Sequence, residues 1–158
     1  MRRQFTKTLH ELFKQDDRLV LLFGDVDWGF GPIADEFPNR VFNCGIAEQS
    51  MVSMSAGMAL EGLRPVVTSL TPFVLERAFE AWKMDVGIMK APVIGCGYAY
   101  YPTHGNSQTP LNPRALVEVL PNVNYFEPKD SAETAMMLRR AVESNQPAFI
   151  SLTKDHTL

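Results

Sequence analysis

Cysteine and histidine are scarce in this 158-residue chain: two of the first, Cys44 and Cys96, and three of the second. Both cysteines stand among apolar neighbours, which fits reduced core thiols in a cytoplasmic protein better than a disulfide framework. No grouping of His, Cys and carboxylate has the spacing of a metal site. Neither sign of charge dominates, with 15 Lys+Arg against 18 Asp+Glu and a net charge of −3. No basic cluster exceeds Arg2-Arg3 or Arg139-Arg140, so there is no nucleic-acid footprint. No apolar run approaches the roughly 18 residues that a membrane span requires. The N-terminal segment is polar and lacks a signal core, and no repeat or low-complexity tract occurs. What is left is a compact intracellular domain, whose 46% hydrophobic content is ordinary for a buried core.

Periodicity then gives the order of elements. Phe5, Leu9, Leu12 and Phe13 recur at helical spacing over residues 3–15, and Leu19 to Phe23 is a short apolar run of the kind buried on both faces of a sheet. A short helix after Pro32 and a brief strand at Val41-Phe42 follow. The next segments read as a strand over 65–70, a long helix over 73–90 and a strand over 92–98. Last come a short helix over 114–120, a strand over 123–126, a helix over 131–144 capped by Ser131, and a closing strand over 148–152. Strict alternation of this kind predicts an α/β fold, a single three-layer α/β/α domain with a mainly parallel sheet. Sites in such folds gather at the carboxyl ends of strands. Asp25, the 43–48 turn, the 71–77 segment and the loop from Tyr98 to Gln108 all follow strands.

The most unusual stretch is Asn43-Cys44-Gly45-Ile46-Ala47-Glu48-Gln49, followed by a small-residue helix that stops at Gly62. Asn43 and Gly45 supply the strand-to-helix turn. Met51, Met54 and Met58 predict an apolar stripe, and Ser53, Ala56, Gly57 and Ala59 leave thin surfaces for another backbone. Glu48 admits two readings. It is an acid placed near a helix N-terminus by the macrodipole, or a desolvated carboxylate that shares a proton with a ligand nitrogen. A second motif, Gly29-Phe30-Gly31-Pro32-Ile33-Ala34, formally matches a dinucleotide fingerprint. Asp25 and Asp27 beside it would repel a pyrophosphate, and the helix after it is short and proline-laden.

The 43–49 stretch resembles the N-x-G-I-A-E-Q signature of the pyrimidine-binding domain of transketolases and of the related deoxyxylulose phosphate synthases, which use thiamine diphosphate. The resemblance covers nearly the whole chain. It implies that Glu48 hydrogen-bonds the pyrimidine ring nitrogen and favours the imino tautomer, with Ile46 and the post-strand Asp25 close to the cofactor. Phe73, in Thr71-Pro72-Phe73-Val74-Leu75-Glu76-Arg77, matches the phenylalanine that stacks on the aminopyrimidine; by composition alone it is a core aromatic. Arg77 lies one turn later. It either pairs with Glu80 or Asp85 on the surface or, by the resemblance, enters the cleft to bind a substrate's phosphate or hydroxyls. His104 matches the family's P-T-H segment, where the histidine faces the reacting carbon; Gly105-Asn106 after it departs from the usual Gln or His. His10 and His156, near the ends, read as exposed.

The family's G-D-G…N motif, which holds the diphosphate and Mg²⁺ on another domain, is not found here, since Gly24-Asp25-Val26 lacks the third glycine. The chain therefore reads as one half of a split enzyme. A partner chain would carry the diphosphate and Mg²⁺ site, the thiamine diphosphate would span the interface, and the resemblance implies a two-plus-two heterotetramer acting on sugars or sugar phosphates. The expected activity is transfer of a two-carbon ketol unit between sugars. The alternatives are a thiamine-dependent 2-oxo acid decarboxylase or synthase, a non-catalytic regulatory subunit of the same fold, and, on the glycine motif alone, a nicotinamide-dependent oxidoreductase.

Overall fold

The structure, a computed structural model, describes residues 1–99 and 105–154. Six strands form one sheet: β1 Leu19–Phe23, β2 Val41–Asn43, β3 Arg64–Leu70, β4 Ile94–Tyr98, β5 Asn124–Phe126 and β6 Ala148–Leu152, in the order β2-β1-β3-β4-β6-β5. Every pairing is parallel. All side chains of β3, β4 and β6 are buried, as expected where helices cover both faces.

Alternation along the strands feeds two cores. Leu19, Leu21, Val66, Ile94 and Ile150 pack beneath α1 (Arg2–Phe13), α2 (Gly31–Glu36) and α6 (Ser131–Ser144). Val20, Leu22, Val67 and Phe149 pack beneath α3 (Glu48–Leu60), α4 (residues 72–88) and α5 (Pro113–Glu118). The three-layer α/β/α expectation holds, with a wholly parallel sheet.

The helix expected over 73–90 is real but irregular. This run, α4, is wound as π-helix over Pro72–Arg77 and Trp82–Ile88, with one α turn, Phe79–Ala81, between them. The indole of Trp82 donates from Nε1 to the carbonyl of Val74 at 2.7 Å. In a regular α-helix that carbonyl would serve the amide of residue 78, so the side chain claims an acceptor and the backbone winds wider. Trp82 also packs so tightly on the sheet that a Cβ on Gly95 would stand 2.5 Å from its ring.

Other local expectations need correction. The cap of α6 is Asp130 rather than Ser131: its Oδ1 accepts from the Glu133 amide at 2.8 Å. The core-facing stripe of α3 is Glu48, Met51, Val52, Ser55, Ala56 and Ala59, whereas Met54 is 48% exposed and Met58 half-buried. His10 is half-buried, with Nε2 at 2.7 Å from Glu36 Oε2. His156 lies outside the described residues. Arg64 opens β3 fully buried, and its guanidinium donates to the carbonyls of Pro92, Ala141 and Gln146. Burial draws its pKa down to about 10, which leaves it charged at neutral pH.

Candidate active site

The carboxyl ends of β1, β2 and β3 meet at one place. The Cys44 amide donates to Phe23 O at 2.9 Å and the Gly24 amide to Thr68 O at 3.0 Å, so the ladder continues past the strands into their loops. Asn43 Oδ1 accepts from the Gly45 amide at 2.9 Å and the Asp25 amide at 3.3 Å, pinning the two loops together. Gly45 has φ +66°, a conformation that an L side chain resists. The turn it makes starts α3 with Glu48 as its first residue and sets Glu48 at the head of the core-facing stripe.

Glu48 is therefore buried, with its side chain 1% exposed. Its Oε1 accepts from Ser69 Oγ at 3.2 Å, and its Oε2 accepts from Arg77 Nη1 at 2.9 Å. Ser69 Oγ also lies 3.4 Å from Gly24 O. Gly24 makes the fit possible, because a Cβ there would stand 3.0 Å from both Cγ and Oε1 of Glu48. Arg77 reaches in from the last π turn before residue 78, its side chain 45% exposed, with the guanidinium carbon 4.4 Å from the centroid of the Phe73 ring. One flat cation thus touches both the buried carboxylate and the aromatic ring.

Of the residues singled out by sequence, Glu48, Phe73 and Arg77 form this cluster. Asp25 stands exposed on the neighbouring turn with φ 62°, joined to the motif through its amide, and Ile46 is 76% exposed at the rim. His104 lies outside the described residues. The surface pairing considered for Arg77 is not formed; Asp85 instead accepts from Ser53 Oγ at 2.6 Å. Gly24 and Ser69 were missed. An Asp-containing loop after a strand drew attention to Asp25, but only the fold shows that the glycine before it and a serine from β3 touch Glu48. Thr71 Oγ1, buried at the end of β3 against Gly97, also has no hydrogen-bond partner among the described residues. Two surface basins of about 590 and 440 Å³ border α1 and include none of these residues. Among the described residues no group of three or more His, Cys, Asp or Glu could hold a metal ion, and no helix is long and apolar enough to cross a membrane.

The family profile of the transketolase pyrimidine-binding domain matches residues 1–157. The chain belongs to that family. Among curated relatives, it is 37% identical over 150 residues to a 1-deoxy-D-xylulose-5-phosphate synthase of Heliobacterium modesticaldum, a match covering 92% of this chain and 23% of the relative. It is 32% identical over 162 residues to 1-deoxy-D-xylulose-5-phosphate synthase 2 of Geobacter sulfurreducens, covering 98% of this chain and 25% of the relative. This pyrimidine-binding domain thus spans about a quarter of the length of the relatives it matches. A solved split-gene transketolase, described as an inactive β4 tetramer, superposes with a TM-score of 0.87 at 31% identity, over 96% of this chain and 50% of that one.

Proposed function

We propose that this chain is the pyrimidine-binding component of a transketolase-like, thiamine diphosphate-dependent enzyme that transfers a two-carbon ketol unit between sugars. The observation that carries the reading is the juxtaposition, at the strand ends, of a carboxylate withdrawn from water and an aromatic ring, bridged by one guanidinium. These residues fit an aminopyrimidine. Glu48 offers a carboxyl for a ring nitrogen, Phe73 a face for stacking, and Gly24 the clearance that lets the carboxyl lie against β1. Asp25 and Ile46 border the same cleft, and Arg77 with His104 would meet the substrate's hydroxyls or phosphate.

Thiamine diphosphate supplies the electron sink for carbon–carbon bond cleavage when bound. This chain's part is to hold and orient the pyrimidine edge, with Glu48 as the hydrogen-bond partner of a ring nitrogen. The diphosphate and Mg²⁺ are assigned to a partner chain. Exposed Ile46 beside Glu48, Met54 on α3, Met84 and Ile88 on α4, and Met89 just after it give such a partner an apolar surface to cover. A two-plus-two assembly is the proposed active form, and the inactive β4 state of the solved neighbour supports a β-type chain that needs another component.

Glu48→Gln tests the reading in the assembled enzyme. The amide keeps the shape and acceptor oxygen of the carboxyl, so the fold should persist while turnover falls by about 10²- to 10⁴-fold, the usual weight of a positioned acid–base group. Near-normal turnover would overturn the assignment. The synthase names of the sequence relatives favour a second reading with the same site, in which the donor is a 2-oxo acid that loses CO₂. Product analysis with a ketose phosphate against pyruvate separates the two.

A further inference from the structure

Val74, Ala78, Trp82 and Val86 recur at every fourth position of α4, and all four are wholly buried in one core. An α-helix advances about 40° past a full turn in four residues, so over three such steps the row would wander about 120° around the axis and leave the sheet. The wider π winding over Pro72–Arg77 and Trp82–Ile88 cancels that drift. Phe73 and Arg77 are also four residues apart. The same winding sets the guanidinium carbon 4.4 Å from the Phe73 ring centroid, with Nη1 at 2.9 Å from Glu48 Oε2. One side chain locks the first wide turn. The indole of Trp82 is fixed by its edge-on contact with Phe149, ring centroids 5.7 Å apart, and by its close fit against Gly95. From there Nε1 donates to Val74 O at 2.7 Å, and the Ala78 amide, deprived of that carbonyl, turns to Glu76 O. If the turn narrowed to α, Val74 O would return to the Ala78 amide and leave a buried indole N–H without an acceptor, which folded proteins seldom tolerate.

We infer that Trp82 is a positioning residue of the site: through the Val74 carbonyl it holds the wide turn that keeps Arg77 on both Glu48 and Phe73. It acts through the backbone of residues 74–78. A return to α winding restores the drift of about 40° between Phe73 and Arg77, which at the outer radius of a helix, about 5–6 Å, is a displacement of about 4 Å. Nη1 would then lie beyond hydrogen-bond reach of Glu48 Oε2. The carboxylate, 1% exposed, would lose its ion-pair partner, and a charge left unpaired away from water is costly. The placement of Arg77 stands on this geometry alone. Its bearing on cofactor binding rests on the pyrimidine-binding reading and deepens it, since Glu48 and Phe73 are the two groups that reading gives to the aminopyrimidine.

The test compares Trp82→Phe, which loses the indole N–H, with Phe149→Leu, which loosens the same packing and leaves the indole bond in place. Both should lower the urea midpoint of the full chain. Arg77→Ala is then added to each and to wild type. Its effect on the midpoint should be full in wild type and Phe149→Leu and smaller by about half or more in Trp82→Phe, where Arg77 has already left Glu48. An undiminished effect in Trp82→Phe overturns the positioning role, since a residue that merely fills the core gives additive losses. If Trp82→Phe does not fold, benzothienylalanine at position 82 keeps the ring and puts sulfur in place of the N–H; the same diminished effect is expected, and additivity again overturns the role. In the enzyme assembled with a diphosphate-binding chain, thiamine diphosphate affinity should fall about tenfold or more in Trp82→Phe and by less than about threefold in Phe149→Leu. An equal fall in both counts against the positioning role. A diminished effect of Arg77→Ala with unchanged thiamine diphosphate affinity would retain that role and overturn the pyrimidine reading beneath it.

Discussion

Gly24→Ala is the change that probes the site through packing alone. A Cβ at residue 24 would lie 3.0 Å from Glu48 Cγ and Oε1, whereas ordinary contact begins near 3.4 Å, so the carboxyl must retreat by about 0.4 Å. Movement directly away stretches the 3.2 Å bond from Ser69 to about 3.6 Å, beyond hydrogen-bond range. Arg77, half-exposed and flexible, can follow the carboxylate; Ser69, fixed in β3, cannot. Mild overpacking costs about 1 kcal/mol and the lost bond about 1 kcal/mol, while reduced freedom of the unfolded chain returns about 0.5 kcal/mol. The net loss is about 1.5 kcal/mol, a fall in melting temperature of about 3–6 °C for a chain of this size. Thermal and urea unfolding measure it, with Gly57→Ala as control: Gly57 sits in α3 with nothing within 4 Å of an added Cβ. The control should gain about 0.5–1 kcal/mol. Cofactor affinity of the assembled enzyme should fall about tenfold or more in Gly24→Ala. A Gly24→Ala chain as stable as wild type with unchanged cofactor affinity would refute the close fit of Glu48 against β1.

Two further predictions concern stability and reactivity. Arg64→Ala removes a fully buried side chain and its donors to the carbonyls of Pro92, Ala141 and Gln146, and should cost about 2–3 kcal/mol by urea unfolding, with Arg64→Lys recovering only part. Burial pushes both thiols up, Cys96 well above the usual 9.0. A raised folded-state value means stability is intact below the unfolded thiol's value and declines as pH rises past about 9. Thiol labelling at pH 8 should therefore reach half-buried Cys44 slowly and Cys96 only on unfolding.

The fold was legible because strand and helix periods alternate cleanly, with apolar runs such as Leu19 to Phe23 short enough to be buried strands. Glu48 was legible through its motif and its isolation in an uncharged segment. Its surroundings were not. Ser69 and Gly24 touch it only because β1 and β3 are sheet neighbours, a long-range fact that no local period carries. The winding of α4 escaped for a similar reason: the bond from Trp82 to Val74 is a side-chain competition, whereas periodicity reports only which residues face inward. Met54 was assigned to the core because a three-residue step lies close to a helical turn. The stripe is in fact centred on Val52, Ala56 and Ala59, and Met54 falls beyond its edge.

On the proposed reading, this chain holds one end of a cofactor whose other end belongs to a partner. Calorimetry with thiamine diphosphate and Mg²⁺ tests it most directly, on this chain alone and after mixing with a candidate chain bearing the diphosphate-binding domain. Tight, Mg²⁺-dependent binding is expected in the mixture, and binding weaker by orders of magnitude to the chain alone. Tight binding by the chain alone, or none in a mixture shown by size-exclusion to form a stable complex, would contradict it.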